Sequence, residues 1–157
     1  MTDSVDKARQ YALKLLGYRG RSEHEIMERL MARGFSADVI ASTVLHLKEI
    51  GLLNDLSLAE TLTREATTNR MLSRAGARAH LMKRGIPKGM VDSVIVLDDA
   101  SDYDNAVRFA GKKLRALKKY PPAIAKRRLY NLLLRRGYSP EVIIKVLKHE
   151  IAKEDDQ

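Results

Sequence analysis

The sequence predicts an all-α protein built from three tandem three-helix repeats in an elongated, curved array. Three observations carry this prediction. First, one segment recurs three times: Leu30–Ser36, Leu81–Pro87 and Leu133–Ser139. Each copy reads Leu, Met or Leu, any residue, Arg, Gly, a large apolar residue, then Ser or Pro, and the glycines lie 51 and 52 residues apart. Equal spacing over three copies marks a modular architecture. Second, the residues at each copy are helix stop and start signals. Third, apolar residues elsewhere recur at helical spacing, and the few alternating runs are too short for strands.

The repeated segment is a helix–turn–helix step. Leu30, Leu81 and Leu133 share a face with Ile26, Ala77 and Leu129, four residues before them. Arg33, Arg84 and Arg136 stand in the last turn, where a cation suits the negative end of the helix dipole. Their first reading is as capping charges. Gly34, Gly85 and Gly137 permit the left-handed residue that stops a helix. Ser36, Pro87 and Ser139 then restart one, as N-cap or first helical residue. Phe35, Ile86 and Tyr138 plug the corner between the two helices. The pairs Val39-Ile40, Met90-Val91 and Val142-Ile143 follow at one offset.

In chain order, helices are expected at 4–18, 22–33 and 36–51, with Tyr11, Leu13, Leu15 and Leu16 as the first apolar positions. Ser22-Glu23-His24-Glu25 is a capping box. Gly51 ends the third helix, and Asn54 or Asp55 caps the next. The second triplet is expected at 55–70, 73–84 and 87–98, with Leu58, Leu62 and Ala66 at spacing four. The third is expected at 101–119, 121–136 and 139–152. There Ala106, Phe109, Ala110, Leu114 and Leu117 form the first apolar face, and Pro121-Pro122 opens the middle helix. The repeats therefore span 1–53, 54–100 and 101–152, with a frayed tail at 153–157. The Gly51–Asp55 turn and the acidic Asp98–Asp104 stretch are read as hinges. A triplet of about 50 residues has a small core, so stacked neighbours would extend it.

Charge is unevenly placed. Residues 1–70 hold ten Lys/Arg and ten Asp/Glu; residues 71–157 hold nineteen and ten, so the whole excess of nine lies in the second half. Between Asp104 and Glu141 there are eleven Lys/Arg and no acid over 36 residues. A mixed run is ordinarily a solvated helix face, but here self-repulsion is uncompensated, and a polyanionic partner is expected.

Catalytic signatures are not apparent. Without cysteine the chain has no disulfide, thiolate nucleophile or Cys-ligated metal. His24, His46, His80 and His149 share no i, i+3 or i+4 spacing, and the glycines make no phosphate loop. No cofactor, metal or enzymatic activity is expected. No apolar run reaches the roughly 20 residues that span a bilayer, and Met1–Gln10 lacks the apolar region of a secretory signal. A cytoplasmic monomer is expected.

The candidate partner-binding residues come from charge and helical facing. Arg74 and Arg78 stand on the second repeat, and Lys126, Arg127 and Arg128 on the third. Lys112, Lys113, Lys118 and Lys119 are secondary candidates. Tyr130 shares a sector with Lys126 and Arg127, where it either stacks a base or packs against the next helix. Tyr138 shares the corner column with Phe35 and Ile86 and is read as core.

The order and spacing of these motifs resemble the RecX recombination regulators. The matching residues are Arg21–Glu25 before Leu30–Gly34, then Gly51–Asp55, Leu81–Ile86 and Leu133–Tyr138, so the likeness covers about residues 8–151. Ala77 stands where the family usually has a larger aliphatic, and His80 where it often has an acid. The resemblance implies three three-helix modules and a non-catalytic regulator of recombination and the SOS response. It also implies binding to RecA and its filament on single-stranded DNA, with inhibition of RecA ATPase and strand exchange. Free single-stranded or duplex DNA is a further possible partner. Alternatives are an autonomous DNA-binding protein of helix-turn-helix-like modules, such as a transcriptional regulator, and a protein-only adaptor. The helices starting Ser36-Ala37-Asp38 and Pro87-Lys88-Gly89 are poor base readers.

Overall fold

The computed structural model describes residues 2–155, which contain nine α-helices and no strand. They are α1 (Thr2–Tyr18), α2 (Glu23–Ala32), α3 (Ala37–Glu49), α4 (Asp55–Arg64), α5 (Arg74–Lys83), α6 (Lys88–Val94), α7 (Asp99–Leu117), α8 (Pro122–Arg135) and α9 (Pro140–Asp155). Residues 156–157 of the expected frayed tail lie outside the described residues, whereas α9 continues to Asp155.

The chain forms two compact units. One comprises the chain as far as Leu62 with Leu81–Val94; the other comprises Thr63–His80 with Ile95 to the end. Residues of the middle triplet are thus divided between them.

In the first unit α1, α2 and α3 pack on one another. Ala8, Ala12 and Leu15 of α1 face Ile26 and Leu30 of α2, and Ile40, Val44 and Leu47 of α3, with Leu53 closing the core. The small residues at positions 8 and 12, not Leu13, carry the inner face of α1; Leu13 is 45% exposed. In the second unit α7, α8 and α9 pack likewise. Ala106, Phe109, Ala110 and Leu117 meet Leu129 and Leu133, and α9 adds Val142, Ile143, Val146 and Leu147.

All three corners close as the repeat predicts. Gly34, Gly85 and Gly137 have φ of 87°, 85° and 93°. The amide of the next residue donates five residues back: Phe35 to Leu30, Ile86 to Leu81 and Tyr138 to Leu133, at 3.1–3.3 Å. That is the Schellman arrangement, which satisfies carbonyls the helix end would leave open. Ile86 and Tyr138 are buried; Phe35 is half-buried against the first core.

A second repeated contact follows, one that no local pattern signals. In the first unit, the Ser22 hydroxyl caps α2 and donates to the Arg84 carbonyl at 2.6 Å. In the second, Ser73 caps α5 through the Gly76 amide, and its own amide donates to the Arg136 carbonyl at 3.0 Å. The start of one repeat's second helix therefore seats on the corner of the next repeat. A Cβ on Gly85 would lie 2.8 Å from His24 Cβ, and one on Gly137 would lie 2.5 Å from Ser73 Oγ. These glycines serve close approach as well as left-handed backbone. Carboxylates complete both junctions: Asp55 accepts from the Glu23 amide and Asp102 from the Arg74 amide, each at 2.8 Å. The third repeat has Pro121 at the equivalent cap, with no side-chain bond.

The arginines of the three corners do more than face a helix dipole. Arg33 lies over the Tyr11 ring at 4.1 Å. Arg84 bonds both oxygens of Glu25, at 3.0 and 3.1 Å, and the Gly20 carbonyl. Arg136 donates to the Arg70 carbonyl and lies over Phe109 at 5.0 Å.

Three expected boundaries move. α6 ends at Val94 rather than 98, after which Arg78 and Arg74 donate to the Ile95 and Val96 carbonyls. Asp98 takes the Ala100 amide and starts α7, so the acidic stretch is a helix N-terminus and not a hinge. Carboxylates are favoured there by the dipole. α4 runs into a π-turn at Glu65–Asn69, and Met71, two residues past the turn, is a non-glycine residue with φ of 50°. The Tyr138 hydroxyl donates to the Met71 carbonyl at 2.6 Å, and Asn105 donates to the Thr67 and Leu72 carbonyls, which holds this strained residue in place.

Candidate functional site

In the second unit α7, α8 and α9 enclose a groove of about 1030 Å³. Its floor is apolar because the inner faces of the helices meet there: Leu117, Leu129 and Leu147 are buried, with Leu114 and Ala125 half-buried above them. Its rim is cationic. Arg108, Lys112, Arg115 and Lys118 come from α7 and its C-terminal cap, Lys126 from α8 and Lys153 from α9. All six are exposed. The helical period places 108, 112 and 115 along one edge of α7. Among the described residues, none of Lys112, Lys118 and Lys126 forms an ion pair with a carboxylate.

The residues expected to bind a partner divide between places. Lys112, Lys118 and Lys126 line the groove. Lys119 and Arg128 instead flank the Tyr120 ring, at 5.3 and 4.2 Å, and Lys113 lies 5.7 Å from the Phe109 ring. Arg127 is exposed on α8, while Tyr130 is half-buried and packs against the core of the unit. Arg74 and Arg78 carry the carbonyl bonds that follow α6.

Arg108, Arg115 and Lys153 join the groove without having been singled out from the sequence. So does Glu150, the one acid among the lining residues, 8% exposed. A signal for it exists. Ile143, Val146, Leu147 and Glu150 stand at i, i+3, i+4 and i+7, so an acid ends an otherwise apolar stripe.

Burial pushes the carboxyls of Asp55 and Asp102 up, against the backbone amides that each accepts. At Glu25 burial acts upward, but the Arg84 guanidinium and the Ser22 amide outweigh it and hold the carboxyl below its ordinary value. Burial raises the Tyr138 phenol strongly. Among the described residues no group of three or more His, Cys, Asp or Glu could hold a metal ion, and no helix is long and apolar enough to cross a membrane.

Tandem three-helix repeats, one of whose units carries a groove with a cationic rim, define a helical-repeat protein. Comparison with known proteins gives the family. Family models described as the first and third three-helix domains of RecX match residues 8–47 and 100–147. The regulatory protein RecX of Mycolicibacterium smegmatis is 31% identical, over 97% of this chain and 84% of its own length. That of Pelodictyon phaeoclathratiforme is 30% identical, over 94% and 92%. The chain belongs to the RecX family. The crystal structure of RecX from Lactobacillus salivarius superposes with a TM-score of 0.76 at 21% identity, covering 95% of this chain and 97% of that one, and so shares the fold.

Proposed function

We propose that this protein is a non-catalytic regulator of homologous recombination and the SOS response. It binds RecA and the RecA filament on single-stranded DNA and lowers RecA ATPase and strand exchange. The observation that carries the reading is the cationic rim of the α7–α8–α9 groove, unpaired at Lys112, Lys118 and Lys126 in a chain of the RecX family. Such a surface is attracted to phosphates or to an acidic protein face, and the attraction weakens with salt. An inhibitor of this kind needs no active site. It opposes the subunit motion or exchange that the filament requires, acting as a cytoplasmic monomer.

The test is RecA ATPase on single-stranded DNA titrated with this protein. Turnover should fall at substoichiometric to stoichiometric protein. Lys112→Ala with Lys126→Ala should weaken the effect and flatten its salt dependence by about 1.4 in the logarithmic slope, if each lysine meets one phosphate of a single strand. Unchanged turnover at equimolar protein sinks the proposal. A sequence-specific footprint on duplex DNA without RecA would support the autonomous DNA-binding protein instead.

A further inference from the structure

One partner chemistry matches both the rim and the floor of the α7–α8–α9 groove. Six cations and one acid line it, so charge complementarity calls for an acidic partner. Much of the remaining lining is aliphatic. Leu114, Leu117, Leu129 and Leu147 lie in the floor, and Ile151, 44% exposed, adds apolar surface that faces solvent. The partner must therefore bring apolar side chains as well as negative charge.

Nucleic acid meets only half of this. Single strands are held by cations together with aromatic rings on which bases stack. Tyr120 is the one aromatic residue in the lining, and its ring already carries Arg128 at 4.2 Å and Lys119 at 5.3 Å. Phe109 and Tyr138 are buried in the core of the unit, and Tyr130 packs against that core. Phosphates would find the rim, but bases would find no ring free of a cation in the groove.

An extended peptide is also a poor match. The walls are helices, whose backbone groups bond along their own axes, so the groove presents no strand edge for a peptide backbone to pair with. A helix satisfies its own backbone and can lay one apolar face on the floor. From Arg108 to Leu117 the α7 wall is about 14 Å long at 1.5 Å per residue. Anchors at i, i+4 and i+7 span about 10 Å on the same measure and fit within it. The groove volume, about 1030 Å³, exceeds the roughly 300–1,000 Å³ of most small-ligand sites and suits a row of side chains.

We propose that this groove docks an amphipathic α-helix of a partner protein, with aliphatic residues at i, i+4 and i+7 on the leucine floor and carboxylates beside that stripe against Lys112, Lys118 and Lys126. The inference deepens the function proposed above and rests on it for which protein supplies the helix.

The test omits RecA. The probe is a fluorescein-labelled peptide of alanine and glutamate, about 16 residues long so that it holds a helix, with leucines at i, i+4, i+7 and i+11. A scrambled peptide of the same composition spreads the leucines around the helix and keeps the charge. Fluorescence anisotropy should show the striped peptide binding about tenfold more tightly than the scrambled one, the scale of one or two buried aliphatic side chains. Lys112→Ala with Lys126→Ala should weaken both peptides. Ile151→Ser should weaken the striped peptide alone, by about fivefold, and Leu114→Ser should do the same, with far-ultraviolet circular dichroism reporting the helical fold. Equal binding of the two peptides overturns the proposal, because charge alone would then account for it. So does a preference for the stripe that survives both Ile151→Ser and Leu114→Ser. Tighter binding of a labelled octathymidylate than of the striped peptide overturns it in favour of nucleic acid. Concentration-dependent dimerisation that Ile151→Ser abolishes overturns it in favour of a second copy of this chain. A protein that inhibits RecA yet does not distinguish the peptides refutes this inference alone. One that prefers the striped peptide but leaves RecA turnover unchanged refutes only the regulatory reading.

Discussion

Removing the Arg84 guanidinium tests whether the junction between the first two repeats is held electrostatically. Arg84 and Glu25 bond through two contacts of 3.0 and 3.1 Å, and their side chains are only 15% and 16% exposed. Arg84→Met keeps most of the apolar stem and deletes the charge, leaving Glu25 with the Ser22 amide and a longer contact of 3.5 Å to Arg19. Losing one partner of a fully buried pair costs about 3–5 kcal/mol; residual solvent and the two remaining donors reduce this to about 2–3 kcal/mol. For a chain of this length that lowers Tm by about 5–10 °C. Thermal unfolding of Arg84→Met, Glu25→Gln and the double variant gives the coupling energy directly, expected at about 1–2 kcal/mol. The pH dependence supplies a second readout. Glu25 is held below its unfolded value, so its contribution is complete above that value and lost as pH falls through the depressed one. Arg84→Met should shrink that acid-side loss. A coupling below about 0.3 kcal/mol would show that packing at Gly85 and Ser22, not the ion pair, holds the junction.

Gly137→Ala should cost about 2–4 kcal/mol in chemical denaturation, because it combines left-handed backbone with a Cβ 2.5 Å from Ser73 Oγ. Gly34→Ala, at φ of 87° with nothing within 4 Å, should cost only about 1 kcal/mol, and equal losses would remove close approach from the account. Burial raises the Asp102 carboxyl, so its ionised form works against folding above that raised value, and the penalty is relieved as pH falls through it. Asp102→Asn retains an oxygen for the Arg74 amide. It should be neutral to slightly stabilising at pH 7 and flatten the stability profile on the acid side; a marked loss at pH 7 would mean that the charge itself caps α5.

Most of the helical plan was legible because its signals are local. A glycine with φ near 90° after Arg33, Arg84 or Arg136 is demanded by the corner itself, as are the caps at Ser22 and Ser36. The buried columns of Ile26, Ala77 and Leu129, and of Leu30, Leu81 and Leu133, follow from spacing alone. The end of α6 was not legible. The Ile95 and Val96 carbonyls just past it are taken by Arg78 and Arg74, some twenty residues earlier, which periodicity does not encode. The groove was half legible. A run of eleven cations announced a charged surface, but the period alone did not separate Lys112 and Lys126 from Lys113 and Arg128, which lie over aromatic rings.

What the amino-acid order determined alone is the set of helices, most of their stops and starts, the thrice-repeated corner and the cationic character of the last third. Each depends on neighbours within about one helical turn, or on a simple sum of charge. Tertiary structure alone decided that Ser22 meets Arg84 while Ser73 meets Arg136, that Asp102 is a buried cap, and that Glu150 joins the cations lining the groove. Those pairings join residues tens of positions apart. Their energies come from burial and close approach, which exist only once the helices have packed.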